Sequence, residues 1–223
     1  MTRDNSTVTG DTLHITSHPS RVAQYKIPAT NYLFKATLDI KKHHLTGLLV
    51  IKRMDTIAPP PAPPQAGRGE HSPLAFPSGG NSGCFGTYRI VFMNEIGMTF
   101  FDLELKADSL KVVSCFESLN KKALMNIFKT DFTILNWSCA VENKREYRQA
   151  ETNRLVVKGD AGKYKTWQTY SPSGDTLYAT TAKSNLADPV IITFAQYKDG
   201  FPVKITIENP FIGMKLVMRK LVQ

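Results

Sequence analysis

What most constrains this chain is a strict alternation of apolar and polar side chains. Tyr32, Phe34, Ala36, Leu38 and Ile40 fall on one face, with Lys35, Thr37, Asp39 and Lys41 on the other. A period of two belongs to a strand with one face buried and one wet. The pattern recurs at Leu49 and Ile51 within 45–53, and at Tyr88, Ile90 and Phe92 against Arg89, Val91 and Met93. It is clearest where Thr99, Phe101, Leu103 and Leu105 face in and Asp102, Glu104 and Lys106 face out. Lys42 and His43 read as a turn, and Asn94-Glu95-Ile96-Gly97 as a hairpin tip with Gly97 at a positive φ.

Further strands are expected at 110–116, 154–158, 164–170, 176–181, 190–197, 201–208 and 214–221. Gly159-Asp160-Ala161-Gly162, Ser173-Gly174-Asp175 and Asp199-Gly200 supply turns. The period changes only once. Leu119, Ala123, Leu124, Ile127, Phe128, Phe132 and Leu135 recur at helical spacing, with Ser118 as N-cap candidate and a break expected near Asp131. The fold class expected is therefore mainly β: about eleven antiparallel strands in meander order, curling toward a barrel around one helix.

Two segments depart from this. Residues 1–30 are polar and read as a loose arm, with a short helix expected at 20–25. Within 55–86, Ala58-Pro59-Pro60-Pro61-Ala62-Pro63-Pro64 cannot join a sheet, because proline lacks the ladder N–H. Because the alternation resumes afterwards, this is expected to be a disordered insertion in a single domain spanning 31–223. A polyproline ligand for a partner is the other reading of the run.

The 223 residues carry a formal charge of +9, which suits anionic surfaces. The basic residues are scattered, the nearest to runs being Lys41-Lys42-His43-His44 and Lys144-Arg145 with Arg148, so a solvated basic surface is also in keeping. The three cysteines, Cys84, Cys115 and Cys139, include no CxxC and leave pairing open. No apolar run reaches the roughly 18 residues of a membrane helix, and no leader-like apolar stretch follows Met1-Thr2-Arg3-Asp4. Asn5-Ser6-Thr7 matches a glycosylation sequon, which has force only in a secretory context.

Tests for chemistry return little. The sequence holds no GxSxG elbow, no phosphate-binding GxxxxGK[ST] loop and no HExxH helix. His14, His18, His43, His44 and His71 read as surface or loop residues, and no metal or other cofactor is expected. Asp102, Glu104 and Asp39 sit on the wet faces of strands. Lys165 and Trp167 share a face in a strand with Tyr164 and Tyr170, the nearest approach to a nucleic-acid platform, but one such strand is ordinary β composition and no nucleic acid is expected. The chain is expected not to be an enzyme.

The order of elements carries a resemblance. A strand with Gly47, then Tyr88-Arg89-Ile90-Val91-Phe92, the tip Asn94-Glu95-Ile96-Gly97-Met98-Thr99, Phe100-Phe101-Asp102-Leu103-Glu104-Leu105 and an amphipathic helix follow one another. This is similar to the LolA/LolB lipoprotein-localisation family, nearest its LolB-like outer-membrane lipoproteins, most clearly over 32–137. The resemblance implies an unclosed eleven-stranded barrel plugged by helix, with a hydrophobic cavity for acyl chains. The cavity candidates are Phe34, Leu38, Leu49, Ile51, Ile90, Phe92, Phe101, Leu103, Leu124 and Phe128. It assigns the hairpin tip, Ile96 beside Gly97, to membrane insertion. It implies acylated lipoproteins or lipids, a periplasmic LolA-like carrier and an anionic membrane surface as partners, on the periplasmic side of the outer membrane. It departs from the family in lacking a lipobox cysteine near Met1, in the proline-rich insertion, and in offering no identifiable lid arginine. A second reading stays open: a structural or protein-interaction module of the envelope whose apolar interior is packed solid.

Overall fold

The computed structural model describes residues 31–54, 86–106, 109–136, 141–161, 163–184 and 188–221. The expected arm, its helix at 20–25, the proline-rich insertion, Cys84, Cys139, His14, His18 and His71 lie outside them.

The expected architecture is present. Among the described residues twelve strands form one antiparallel sheet: β1 (Tyr32–Ile40), β2 (His43–Arg53), β3 (Thr87–Met93), β4 (Thr99–Lys106), β5 (Ser109–Cys115), β6 (Glu142–Arg148), β7 (Leu155–Ala161), β8 (Tyr164–Tyr170), β9 (Leu177–Lys183), β10 (Val190–Lys198), β11 (Phe201–Asn209) and β12 (Met214–Lys220). Their order is β5-β4-β3-β2-β1-β12-β11-β10-β9-β8-β7-β6. The first and last strands are thus neighbours at the centre, Phe34 opposite Lys220 and Ile40 opposite Met214. β5 and β6 are free edges, so the sheet does not close. The helix α1 (Lys122–Asn136) connects those two edges and packs against β4 and β5.

The count is twelve rather than eleven because β6 was not legible. Its sequence, Glu142-Asn143-Lys144-Arg145-Glu146-Tyr147-Arg148, has no apolar alternation. An edge strand needs none: charge on an edge blocks pairing with other chains. Gly159, Asp160 and Ala161 lie in β7 instead of a turn. A Cβ on Gly159 would meet Val141 Cγ1 at 2.3 Å and the Glu142 carbonyl oxygen at 2.6 Å, so this glycine serves the close approach of β6. The β1–β2 turn falls at Lys41-Lys42, and His43 already pairs with Ile40. Thr99 is only half-buried: a register shift at Phe92/Met93 lets both Phe100 and Phe101 turn inward.

The helix also differs from expectation. Ser118 does not cap it. Residues 117–119 form a turn, in which the Leu119 and Asn120 amides donate to the Phe116 carbonyl at 2.9 and 3.0 Å. Leu119 is buried from that turn, and α1 runs on without a break at Asp131. Its first turns are amphipathic, with Ala123 exposed and Leu124 and Phe128 buried. Its last turns, Asp131 to Leu135, are buried on every side, where the helix plugs the concave face.

One continuous apolar core joins the concave face to α1. A ring series runs from β3 to the helix: Phe92 to Phe101 at 5.5 Å, Phe101 to Phe128 at 4.9 Å and Phe128 to Phe132 at 6.2 Å between centroids. Each large side chain so buried contributes roughly 1.5–3 kcal/mol. At the far end Tyr32 stacks on Phe201 at 4.6 Å, with Lys220 over both rings.

Candidate functional site

The sheet register gathers several features at one end. The β1–β2 turn, the β3–β4 tip, the exit of β5 and the β11–β12 turn all leave the sheet at the end where Ile40 pairs with Met214. There an apolar slot of about 110 Å³ opens beside α1. Ile40, Leu119, Ala123, Leu124, Ile127 and Ile212 line it, and Lys41, His43 and Lys121 stand at its mouth. Ile212 is supplied by a single 3-10 turn, Pro210–Ile212, which Gly213 ends in the left-handed conformation at φ 64.

Four large apolar side chains leave this end uncovered: Ile96 is 89 % exposed, Phe211 65 %, Phe116 51 % and Met98 47 %. The Ile96 tip is built rather than loose. Asn94 accepts backbone N–H bonds from Ile96 at 3.1 Å and Met98 at 2.8 Å through its Oδ1, and from Gly97 at 3.1 Å through its carbonyl. Gly97 holds φ +88, as the sequence suggests. Lys35 reaches Glu95 at 3.8 Å. The turn therefore spends its polar groups on itself and presents Ile96 to solvent.

All ten cavity candidates, Phe34, Leu38, Leu49, Ile51, Ile90, Phe92, Phe101, Leu103, Leu124 and Phe128, are buried in the single core cluster. Of these only Leu124 also borders the slot. The slot's other walls come from α1 and the turn before it, from the end of β1 with the β1–β2 turn, and from Ile212 before β12, which periodicity cannot bring together.

The group sequence reasoning missed is Asp131. It is 1 % exposed on α1, and its Oδ1 accepts from Asn209 Nδ2 of β11 at 3.2 Å. Asp131 Oδ2 and Asn209 Oδ1 have no partner. Burial pushes the Asp131 carboxyl up to about 7, against the smaller lowering effect of the Asn209 bond. A signal was present: Asp131 stands four residues after Ile127 and four before Leu135, on the apolar side of the helix. Thr130 and Tyr164 add a second polar link between helix and sheet, 3.2 Å between hydroxyls.

Two of the wet-face carboxylates have side-chain partners. Asp102 grips Arg89 bidentately, with Nη2 donating to Oδ2 at 2.6 Å, and Asp39 pairs with His44. Cys115 carries a free thiol, whose pKa burial raises. Among the described residues no group of three or more His, Cys, Asp or Glu side chains gathers for a metal. No described helix is long and apolar enough to cross a membrane.

No protein-family model and no curated protein matches the sequence. Among solved structures, a DUF1329 family protein from Desulfovibrio piger shares 11 % identity over 87 % of this chain and 85 % of that one, with a TM-score of 0.49. A Vibrio parahaemolyticus domain provisionally described as an outer membrane lipoprotein-sorting protein shares 10 % over 88 % of this chain and 86 % of its own, with a TM-score of 0.46.

Proposed function

We propose that this protein is a non-enzymatic carrier or receptor for acylated ligands, lipids or lipoproteins, working at the periplasmic face of the outer membrane. One observation carries the reading: an apolar slot beneath a helix opens at the same end of the sheet as Ile96, Met98, Phe116 and Phe211. Exposed apolar side chains gathered around an apolar opening suit contact with a lipid surface. Lys41 and Lys121 at the mouth suit anionic headgroups.

The slot at rest is too small for a whole acyl chain, since ligand pockets measure roughly 300–1,000 Å³. The acyl chain therefore enters as α1 moves outward, replacing helix–core contacts with its own. Each buried CH₂ contributes about 0.8 kcal/mol, so one chain can offset much of what the helix gives up. A periplasmic LolA-like carrier would deliver the ligand, and the Ile96 tip would engage the membrane.

The test is uptake of a fluorescent fatty acid by the purified protein, alongside native mass spectrometry with extraction of bound lipid. Ala123 is exposed on α1 and borders the slot, so Ala123→Trp fills the mouth without touching the core. Uptake that Ala123→Trp reduces at least tenfold supports the carrier. A clean apo mass with no uptake transfers the conclusion to the second reading, an interaction module. That reading draws on the solid packing of the ten core residues and on the uncovered edge of β5, where Val113 is exposed and a partner strand could add.

A further inference from the structure

A second concavity, of about 270 Å³, lies on the outer face of β6, β7 and β8, lined by Asn143, Arg145, Lys158, Asp160, Lys165 and Trp167. Sheet register builds it. Arg145 stands directly opposite Lys158, and Lys158 opposite Trp167. One row along, Asp160 stands opposite Lys165, and Lys165 opposite Lys183. Two pairs of like charges therefore face each other across neighbouring strands, an arrangement that destabilises a sheet.

Asp160 does not relieve both. Its carboxylate accepts from Lys165 and, at 3.1 Å, from Asn143 Nδ2. Among the described residues Lys158 bonds to no carboxylate; its ammonium lies over the Trp167 ring, 5.4 Å from the centroid. Among the described residues Arg145 has no ion-pair partner either. The ladder is also irregular here. The β6–β7 ladder shifts register between Glu142 and Arg145, and Asn143 takes φ 50. Such a bulge leaves a residue off the ladder and re-aims its neighbours.

We infer that this groove binds a phosphate-type anion, held by the Arg145 guanidinium and the Lys158 ammonium against the Trp167 wall. A guanidinium presents a planar fork matched to phosphate oxygens, and an ammonium adds a compact second charge. The anion would remove the repulsion between the two cations. It has two sources: a free phosphate or phosphate ester, and the headgroup of an anionic phospholipid. The second is in reach because Asp160 and Lys165 lie at the sheet end that also carries the β1–β2 turn. The inference stands apart from the carrier reading.

The chain holds two tryptophans, so full-length Trp137→Phe reports on Trp167 alone. Its emission is titrated with inorganic phosphate, with potassium chloride at matched ionic strength, and with phosphatidylglycerol or phosphatidylcholine vesicles. The expected result is a saturable change that Arg145→Gln with Lys158→Gln weakens at least tenfold. Lys52→Gln with Lys198→Gln, which removes the same charge elsewhere on the exposed surface, leaves it intact. Saturation by phosphate assigns the soluble source; a response to phosphatidylglycerol vesicles alone assigns the headgroup. No response to either, an equal response to chloride, or equal losses in both double variants overturns the site. None of these outcomes bears on fatty-acid uptake at the slot.

Discussion

Asp131→Asn isolates what a buried carboxyl costs this fold. The side chain is 1 % exposed, and only one of its oxygens is bonded. Its carboxyl rises from 3.8 to about 7 on folding. Between those values the folded protein holds a proton that the unfolded chain releases, so stability falls as pH rises. The contribution is complete below about pH 4 and gone above about pH 7. At 1.36 kcal/mol per pH unit it amounts to something on the order of 4 kcal/mol. Asp160 and Asp175 work in the opposite sense, because Lys165 and Ser171 respectively hold them below the usual range. Their contribution is lost only below about pH 4, outside the window.

An asparagine at 131 is neutral throughout and can donate N–H to Asn209 Oδ1, which has no partner now. Urea unfolding followed by far-UV circular dichroism from pH 4.5 to 8.5 measures the difference. Relative to the variant, the wild type should lose stability from about pH 4.5 to about pH 7 and keep a constant deficit above that. At pH 8 the variant should be more stable by on the order of 2–4 kcal/mol. Every other titrating group is common to both proteins and drops out of the comparison. Parallel curves would falsify the assignment of the slope to Asp131.

Other perturbations have definite outcomes. Phe128→Ala empties the junction between the helix and β4 and should cost about 3–5 kcal/mol in urea unfolding. Gly47→Ala places a Cβ 1.9 Å from the Met93 carbonyl oxygen, a backbone atom that cannot swing aside, and should cost about 1–3 kcal/mol or prevent folding. Ile96→Glu should change stability by less than about 0.5 kcal/mol, since the side chain touches solvent, yet reduce flotation with anionic vesicles. Unaltered flotation removes Ile96 from membrane contact.

How much was legible followed burial geometry. β1, β3 and β4 bury one face each, so period-two alternation found them and named Leu38, Ile90 and Leu103 correctly as inward. β6 has solvent on one edge and carries charge there, so no alternation announced it. The last turns of α1 are buried all round, and a charged residue inside them looked like a breaker when Asp131 is in fact a buried link to β11. The slot escaped because turns far apart in sequence build it. The basic groove escaped for a similar reason: Arg145, Lys158 and Trp167 meet only through the register of three strands.

The pairing of β1 with β12 sets the schedule by which this chain can become a protein. The strand synthesised first among those described must wait for the last before the middle of the sheet exists. Until then two half-sheets, each with an unpaired inner edge, float at opposite ends of one helix. Closing so long a loop is entropically costly and slows folding. A nascent chain therefore stays open, and vulnerable to aggregation and proteolysis, until β12 has been made. Trimming β12 would strand both halves at once, whereas joining Phe34 and Lys220 through a short tether and opening the chain in the β9–β10 connection would give both halves their partner early.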